Sequence, residues 1–279
     1  MENLLKPYQS VVRGWLKCGL IKKFDTIKTR HVKISKEIEK CENTNGRKMK
    51  YQALVASLKQ LEAKPEIIQK YSQKSTDLAK KSDKELGENK ITKDRKQNYK
   101  SYDDLVKIRD DLKDKTRSWD EEMMYIVLVF STMMPPRRSE IRDTYITDKP
   151  VDGQNCLYKT SKGWIWSLGK YKTFKTYGVY KITLPKEVGK IVTTSLKKYK
   201  REFLITSERA PDKPLSYSAL WKLLYQYLGA GQSIDTLRSS YASKFAPSLS
   251  YNDLEKLSKD MGTSVKMLML TYRKLDHDE

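Results

Sequence analysis

The sequence predicts a mainly α protein that carries a small antiparallel β-sheet, and three observations lead there. From the start to about Lys81, apolar residues recur at helical spacing, as in Val11, Trp15 and Cys18 or in Leu54, Leu58 and Leu61. In the second half, Leu157 to Tyr158, Gly163 to Leu168 and Val179 to Leu184 form short β-like runs separated by Gly and Lys turns. Beyond Pro185 the helical period returns in Val188 to Tyr199, Tyr217 to Leu228, Ile234 to Phe245, Asn252 to Met261 and Ser264 to Lys274.

A chain of 279 residues suits one large domain or two modest ones. Within the first helical stretch, Glu42 to Gly46 is a polar break with turn chemistry, and Thr44 or Asn45 is expected to cap the helix that runs through Tyr51 towards Leu61. Between Ser72 and Lys100 large apolar residues thin out, which is the composition of a linker or a solvated helix. That places a helical domain and its linker at residues 1–95 and a second domain at residues 96–279. The second domain opens with a helix over Tyr102 to Leu112. Ser118 and Glu121 then have capping-box spacing ahead of a buried helix from Met123 to Met134. Pro135 and Pro136 stop that helix and deliver a charged turn, Arg137-Arg138-Ser139-Glu140, onto a predicted helix start at Ile141. No internal repeat is visible.

Lys and Arg number 56 against 35 Asp and Glu, a net charge of +21 that attracts polyanions at long range, so nucleic acid is the first expected partner. The longest apolar run, Tyr125 to Phe130, is far too short to cross a bilayer. At the N-terminus Lys6, Arg13 and Lys17 break up the apolar residues, which denies a signal peptide its core. An intracellular protein with no membrane partner is expected. Cys18, Cys41 and Cys156 are widely spaced and, with only His31 and His277, form no zinc-ligand pattern; reduced thiols, no metal and no cofactor are expected.

Cutting a phosphodiester through a protein nucleophile demands a hydroxyl to attack, cations around the non-bridging oxygens and an acid for the leaving oxygen. A tyrosine and two arginines meet most of this without a metal, because the planar guanidinium bonds two phosphate oxygens at once and never loses its charge. The sequence offers these groups in a recognisable order. Arg137-Arg138-Ser139-Glu140 after a buried helix resembles the Arg-x-Ser-Glu element of the tyrosine recombinase (phage-integrase) family, with Arg137 as the first arginine and Arg138 at the variable position. Tyr171 to Gly178 lies between two predicted strands, where that family carries a catalytic lysine; Lys172 takes the role, with Lys175 as the alternative. Asp235-Thr236-Leu237-Arg238 resembles the His-x-x-Arg box, so Arg238 is the second arginine and Asp235 stands where the family has histidine. Gly262-Thr263 precedes Tyr272 at the spacing of the family's Gly-His and nucleophilic tyrosine, and Thr263 replaces the histidine.

The resemblance covers roughly residues 119 to 274. It implies a recombinase-like catalytic domain behind a helical core-binding domain, the two closing around duplex DNA. It further implies site-specific recombination or integration through a 3′-phosphotyrosine on Tyr272, with self-association as a tetramer on DNA and no small-molecule substrate. The short polar segment Arg273 to Glu279 implies little exchange between subunits. A second reading keeps the same fold as a DNA-binding regulator or architectural protein without chemistry, suggested by Asp235 and Thr263. A third, a monomeric type IB topoisomerase, shares the chemistry and fits the Arg-x-Ser-Glu turn less well.

Overall fold

A computed structural model describes residues 1–87, 99–113, 115 and 117–272. The chain divides into two compact units, Met1–Glu88 and Asn89–Glu279.

The first unit is built from α1 (Lys6–Lys17), α2 (Ile27–Glu39), α3 (Thr44–Gln60) and α4 (Pro65–Gly87). α3 packs against the other three, and its Tyr51, Leu54 and Leu58 share a core with Val12, Trp15, Ile27, Ile34 and Ile38. The residue that caps α3 is Asn43, whose side chain accepts from the Gly46 N–H at 2.8 Å. Thr44 and Asn45, the expected caps, lie inside the first turn and turn instead to α4: Thr44 donates to Glu85 at 3.0 Å, and Asn45 accepts from Ser82 at 2.8 Å. α4 continues to Gly87, so the polar composition after Ser72 reflects a solvated helix up to that point. Residues 88–98, with the expected boundary between 95 and 96, fall outside the described residues.

The second unit begins with α5 (Tyr102–Lys113) and α6 (Trp119–Thr132). Ser118 and Glu121 form the reciprocal capping box expected of them, which satisfies donors at the start of α6. Every residue of α6 from Glu122 onward is buried, and α5 and three later helices pack on it. After Pro135 and Pro136 the chain does not enter a helix at Ile141. It makes a single tight turn, Ser139–Ile141, and continues as strand β1 (Thr144–Thr147). Thr144 holds that turn by donating to the Glu140 carbonyl at 2.6 Å and accepting from Trp166 Nε1 at 2.8 Å.

The sheet has the order β1-β2-β3-β4, with β2 at Asn155–Thr160, β3 at Gly163–Leu168 and β4 at Tyr180–Thr183. β2–β3 and β3–β4 are antiparallel, whereas β1 runs parallel to β2 with Thr144 opposite Asn155. The sheet is therefore mixed rather than antiparallel. β1 is held from its other side by hydrogen bonds with a distant segment, Leu204 N–H to Thr144 O at 2.9 Å and Ile146 N–H to Glu202 O at 2.7 Å. A short turn, α7 (Phe174–Tyr177), interrupts the β3–β4 connection.

The remaining helices are α8 (Lys186–Lys198), α9 (Tyr217–Leu228), α10 (Ile234–Phe245), α11 (Tyr251–Asp260) and α12 (Val265–Met267). Ser216, Ser233, Ser250 and Ser264 each cap the helix that follows by accepting a backbone N–H. α12 widens into a π-helical turn, Leu268–Tyr272, where an uninterrupted helix is expected from sequence, and Arg273–Glu279 lie outside the described residues. The protein is mainly α with a small four-stranded sheet. Among the described residues no helix is long and apolar enough to cross a membrane.

Candidate active site

The stop at Pro135-Pro136 sends Arg137 into the interior of the second unit. Its Nη1 donates to the carbonyls of Lys259 and Asp260, each at 3.0 Å, at the C-terminal end of α11 where carbonyls lack helical partners. Its guanidinium carbon lies 4.9 Å from the centre of the Tyr171 ring and 5.8 Å from that of Tyr180. The nearest carboxylate oxygen, from Glu140, is 3.9 Å from Nη2. Nε and Nη2 have no hydrogen-bond partner. Burial lowers the Arg137 pKa, and Glu140 and the two tyrosines oppose that shift.

Arg238 reaches the same region from the first turns of α10. Ser233 and Thr236 cap this helix reciprocally, so Asp235 is not its cap and its side chain is free to face the cluster. Arg238 has 0% exposure, and none of its three guanidinium nitrogens makes a hydrogen bond. Asp235 Oδ1 stands 3.8 Å from its Nε, and the Tyr272 ring centre lies 4.4 Å from its Cζ. Burial pulls its pKa down to about 10, with Tyr272, Asp235 and Glu140 acting against the shift. Glu140 thus acts on both buried arginines.

Tyr272 closes the group. Its ring packs with Ala242, Leu257, Met261 and Leu268, and the residue is 2% exposed. Its hydroxyl accepts from Arg138 Nη2 at 2.7 Å and donates to Asp235 Oδ1 at 3.2 Å. Burial raises the phenol pKa, the guanidiniums of Arg238 and Arg138 draw it down, and Asp235 pushes it up. The phenol therefore has a cation on its oxygen and a base for its proton, but it is covered.

Of the residues expected from sequence, the structure brings together Arg238, Asp235 and Tyr272 in direct contact, with Arg137 held on the adjoining end of α11, whose following residue Met261 packs with Tyr272. Thr263 is buried on the turn after α11, its N–H bonded to the Ser258 carbonyl at 2.9 Å. Among the described residues it makes no hydrogen bond to the arginines or to Tyr272. Lys172 and Lys175 are exposed on the β3–β4 connection, and neither has a hydrogen bond or ion pair among the described residues. Their neighbours Tyr171 and Tyr180 stack on Arg137, which holds that connection beside the cluster.

Sequence reasoning passed over Arg138, Glu140, Tyr180 and Asp260. Arg138 occupies the position read as variable, yet it makes the shortest contact to the phenol oxygen. Tyr180 donates to Asp260 at 2.6 Å and so ties β4 to the end of α11 that holds Arg137. The acidic residue after Ser139 was in view only as part of a motif; nothing in its spacing shows that it is the carboxylate beside the buried Arg137. No group of metal-ligating side chains occurs among the described residues.

No family model matches the chain, and no curated protein matches its sequence. Among solved structures, it is similar to one titled as the crystal structure of XerA recombinase, at 15% identity and a TM-score of 0.45, over 98% of this chain and 87% of that one.

Proposed function

We propose that this protein binds double-stranded DNA and breaks and rejoins a strand through Tyr272, as a site-specific recombinase or integrase. One observation carries the reading: Arg238 is fully buried with all three guanidinium nitrogens unsatisfied, directly against a tyrosine. A buried cation without hydrogen bonds is costly, and an arrangement of this kind is understood best as a socket for an anion. A phosphodiester is an anion with oxygens placed for such forks. The unsatisfied Nε and Nη2 of Arg137 point to the same ligand.

The chemistry then runs as follows. The Tyr272 oxygen attacks phosphorus while its proton passes to Asp235, the carboxylate it already bonds. A 3′-phosphotyrosine forms and the bond from phosphorus to the 5′ oxygen breaks. Lys172, or Lys175, gives that oxygen a proton. Arg137 and Arg238 hold the non-bridging oxygens as charge builds on them. Rejoining reverses each step. Asp235 thus serves the nucleophile, where a histidine would serve the phosphate. Because the phenol is covered, DNA entry must exchange its bonds to Arg138 and Asp235 for contacts with the phosphate. Binding by the first unit, assembly as a tetramer on paired sites and an intracellular location belong to the same proposal.

The same burial of Tyr272 favours a second reading, a DNA-binding regulator or architectural protein that no longer cuts. Incubation with a nicked suicide substrate separates the two. A covalent protein–DNA adduct that vanishes in Tyr272→Phe establishes the recombinase chemistry; DNA binding with no adduct under any condition establishes the regulator.

A further inference from the structure

The outward face of α9 carries three aromatic side chains at helical spacing. Tyr217, Trp221 and Tyr225 are each more than half exposed, and the Trp221 and Tyr225 rings stack at 5.5 Å between centres and 25° between planes. Four residues apart on a helix, such side chains lie along one stripe. Exposed aromatic rings in a row are uncommon on a surface that only meets water, and the inward face of the same helix already supplies the core with Leu220, Leu223 and Leu224.

The stripe borders the candidate active site. Trp221 and Tyr217 line a surface pocket of about 290 Å³ whose other walls include Arg138 and Asp235, the two residues that hold the Tyr272 hydroxyl. The surroundings are cationic. The Arg142 guanidinium lies 3.7 Å over the Tyr217 ring, Lys222 is exposed on the stripe's own helix, and α9 contains no acidic residue. Of the carboxylates around it, Asp143 is paired with Arg142, Glu140 lies beside Arg137, and Asp235 lines the pocket itself.

We propose that the α9 stripe is a stacking platform for an unpaired nucleobase. A flat aromatic ligand with a phosphate on either side matches both halves of the surface: rings for the base, Arg138, Arg142 and Lys222 for the backbone. Stacking of this kind accepts any base, because every base has a π face. This rests on the reading that the buried arginines hold a phosphodiester, since the platform then takes the base of a nucleotide close to the clamped phosphate once that base has left the helix.

The test compares two single strands of about 12 nucleotides, within the range one such site spans. One is oligothymidylate; the other has the same sugar–phosphate backbone with every base absent. Fluorescence anisotropy with the full chain is expected to show the thymidylate binding about tenfold more tightly, the lower part of the range for stacked bases. Trp221→Ala, at an exposed position, is expected to abolish that preference and leave affinity for the abasic strand unchanged, while Trp221→Phe retains most of the preference. Equal binding of the two strands by the wild-type protein would overturn the proposal, as would a preference that survives Trp221→Ala. A dimer in sedimentation that Trp221→Ala dissolves, with no base preference, would assign the stripe to a second copy and overturn it too. The abasic strand reports phosphate contacts and the difference between strands reports stacking. A base preference that persists in a protein forming no Tyr272 adduct therefore supports the platform and removes only the cleavage chemistry.

Discussion

Gly262 lies against the guanidinium of Arg137 so closely that a β-carbon added there would sit 2.6 Å from Cζ. The residue also has φ of +65°, a conformation that side chains other than glycine rarely adopt. Gly262→Ala is expected to push Arg137 off the Lys259 and Asp260 carbonyls and lower strand cleavage about a hundredfold, the usual effect of losing one preorganised donor. Duplex affinity should change little, because on the proposed function many other cations would contact the backbone. Cleavage at the wild-type rate would show that the position of Arg137 does not matter to the reaction.

Arg238→Met should stabilise the protein while abolishing its chemistry. Replacing a buried, unsatisfied charge by an apolar side chain of similar length is expected to add about 1–4 kcal/mol in urea unfolding. The folded pKa of Arg238 is depressed to about 10, so the penalty of burying its charge is fully present below that pH and fades as pH rises through it. The gain from Arg238→Met should therefore shrink in alkaline buffers. Millimolar phosphate should raise the Tm of the wild-type protein and not that of the variant. A variant less stable than wild type at neutral pH contradicts the reading of Arg238 as an anion socket.

Asp235 gives a sharper test of mechanism, since Ser233 and Thr236 cap α10 without it. Asp235→Asn keeps the shape and loses the proton acceptor, and cleavage is expected to fall about a hundredfold, the middle of the range for general-base catalysis. Asp235→His restores an acceptor and should recover most of that loss, with an added dependence on pH near the imidazole range. Equal activity of the Asn variant and the wild type assigns the Tyr272 proton to another group.

The two lysines of the β3–β4 connection can be told apart by the leaving group. With a sulfur in place of the 5′ oxygen, no proton is needed for departure. Whichever of Lys172→Ala and Lys175→Ala is inactive on ordinary DNA and active on the sulfur substrate identifies the acid. Rescue of neither removes both from that role.

In the second unit, Ser118→Ala should cost about 1 kcal/mol in unfolding free energy, because Ser118 and Glu121 satisfy each other's backbone N–H at the start of the buried helix α6. A change near zero would mean water replaces the cap.

What sequence could show depended on the range of the interaction. The cap of α6 and the spans of α9 and α10 are written locally, in a serine ahead of a periodic apolar run, and they stand where the sequence puts them. Strand β1 has only four residues, and it exists because Thr144 meets Asn155, Leu204 and Trp166, none of them near enough in sequence to leave a pattern. The site divides in the same way. Arg238 and Asp235 share one helix turn, and the resemblance of that stretch to a His-x-x-Arg box had already set them side by side. Arg138 was not, because adjacent residues of the turn send their guanidiniums to different partners, Arg137 to α11 and Arg138 to the phenol. Only the three-dimensional path of the turn decides which is which.

The buried fork of Arg238 also bears on how long a molecule survives. A ligand that binds only the folded form makes openings rarer, so an anion bonded to that fork would hold the chain closed, and opened copies are the ones proteases and chaperones remove. On the proposed function, copies seated on DNA would outlast those still searching for it. The pool of wandering molecules would then be trimmed without any dedicated regulator.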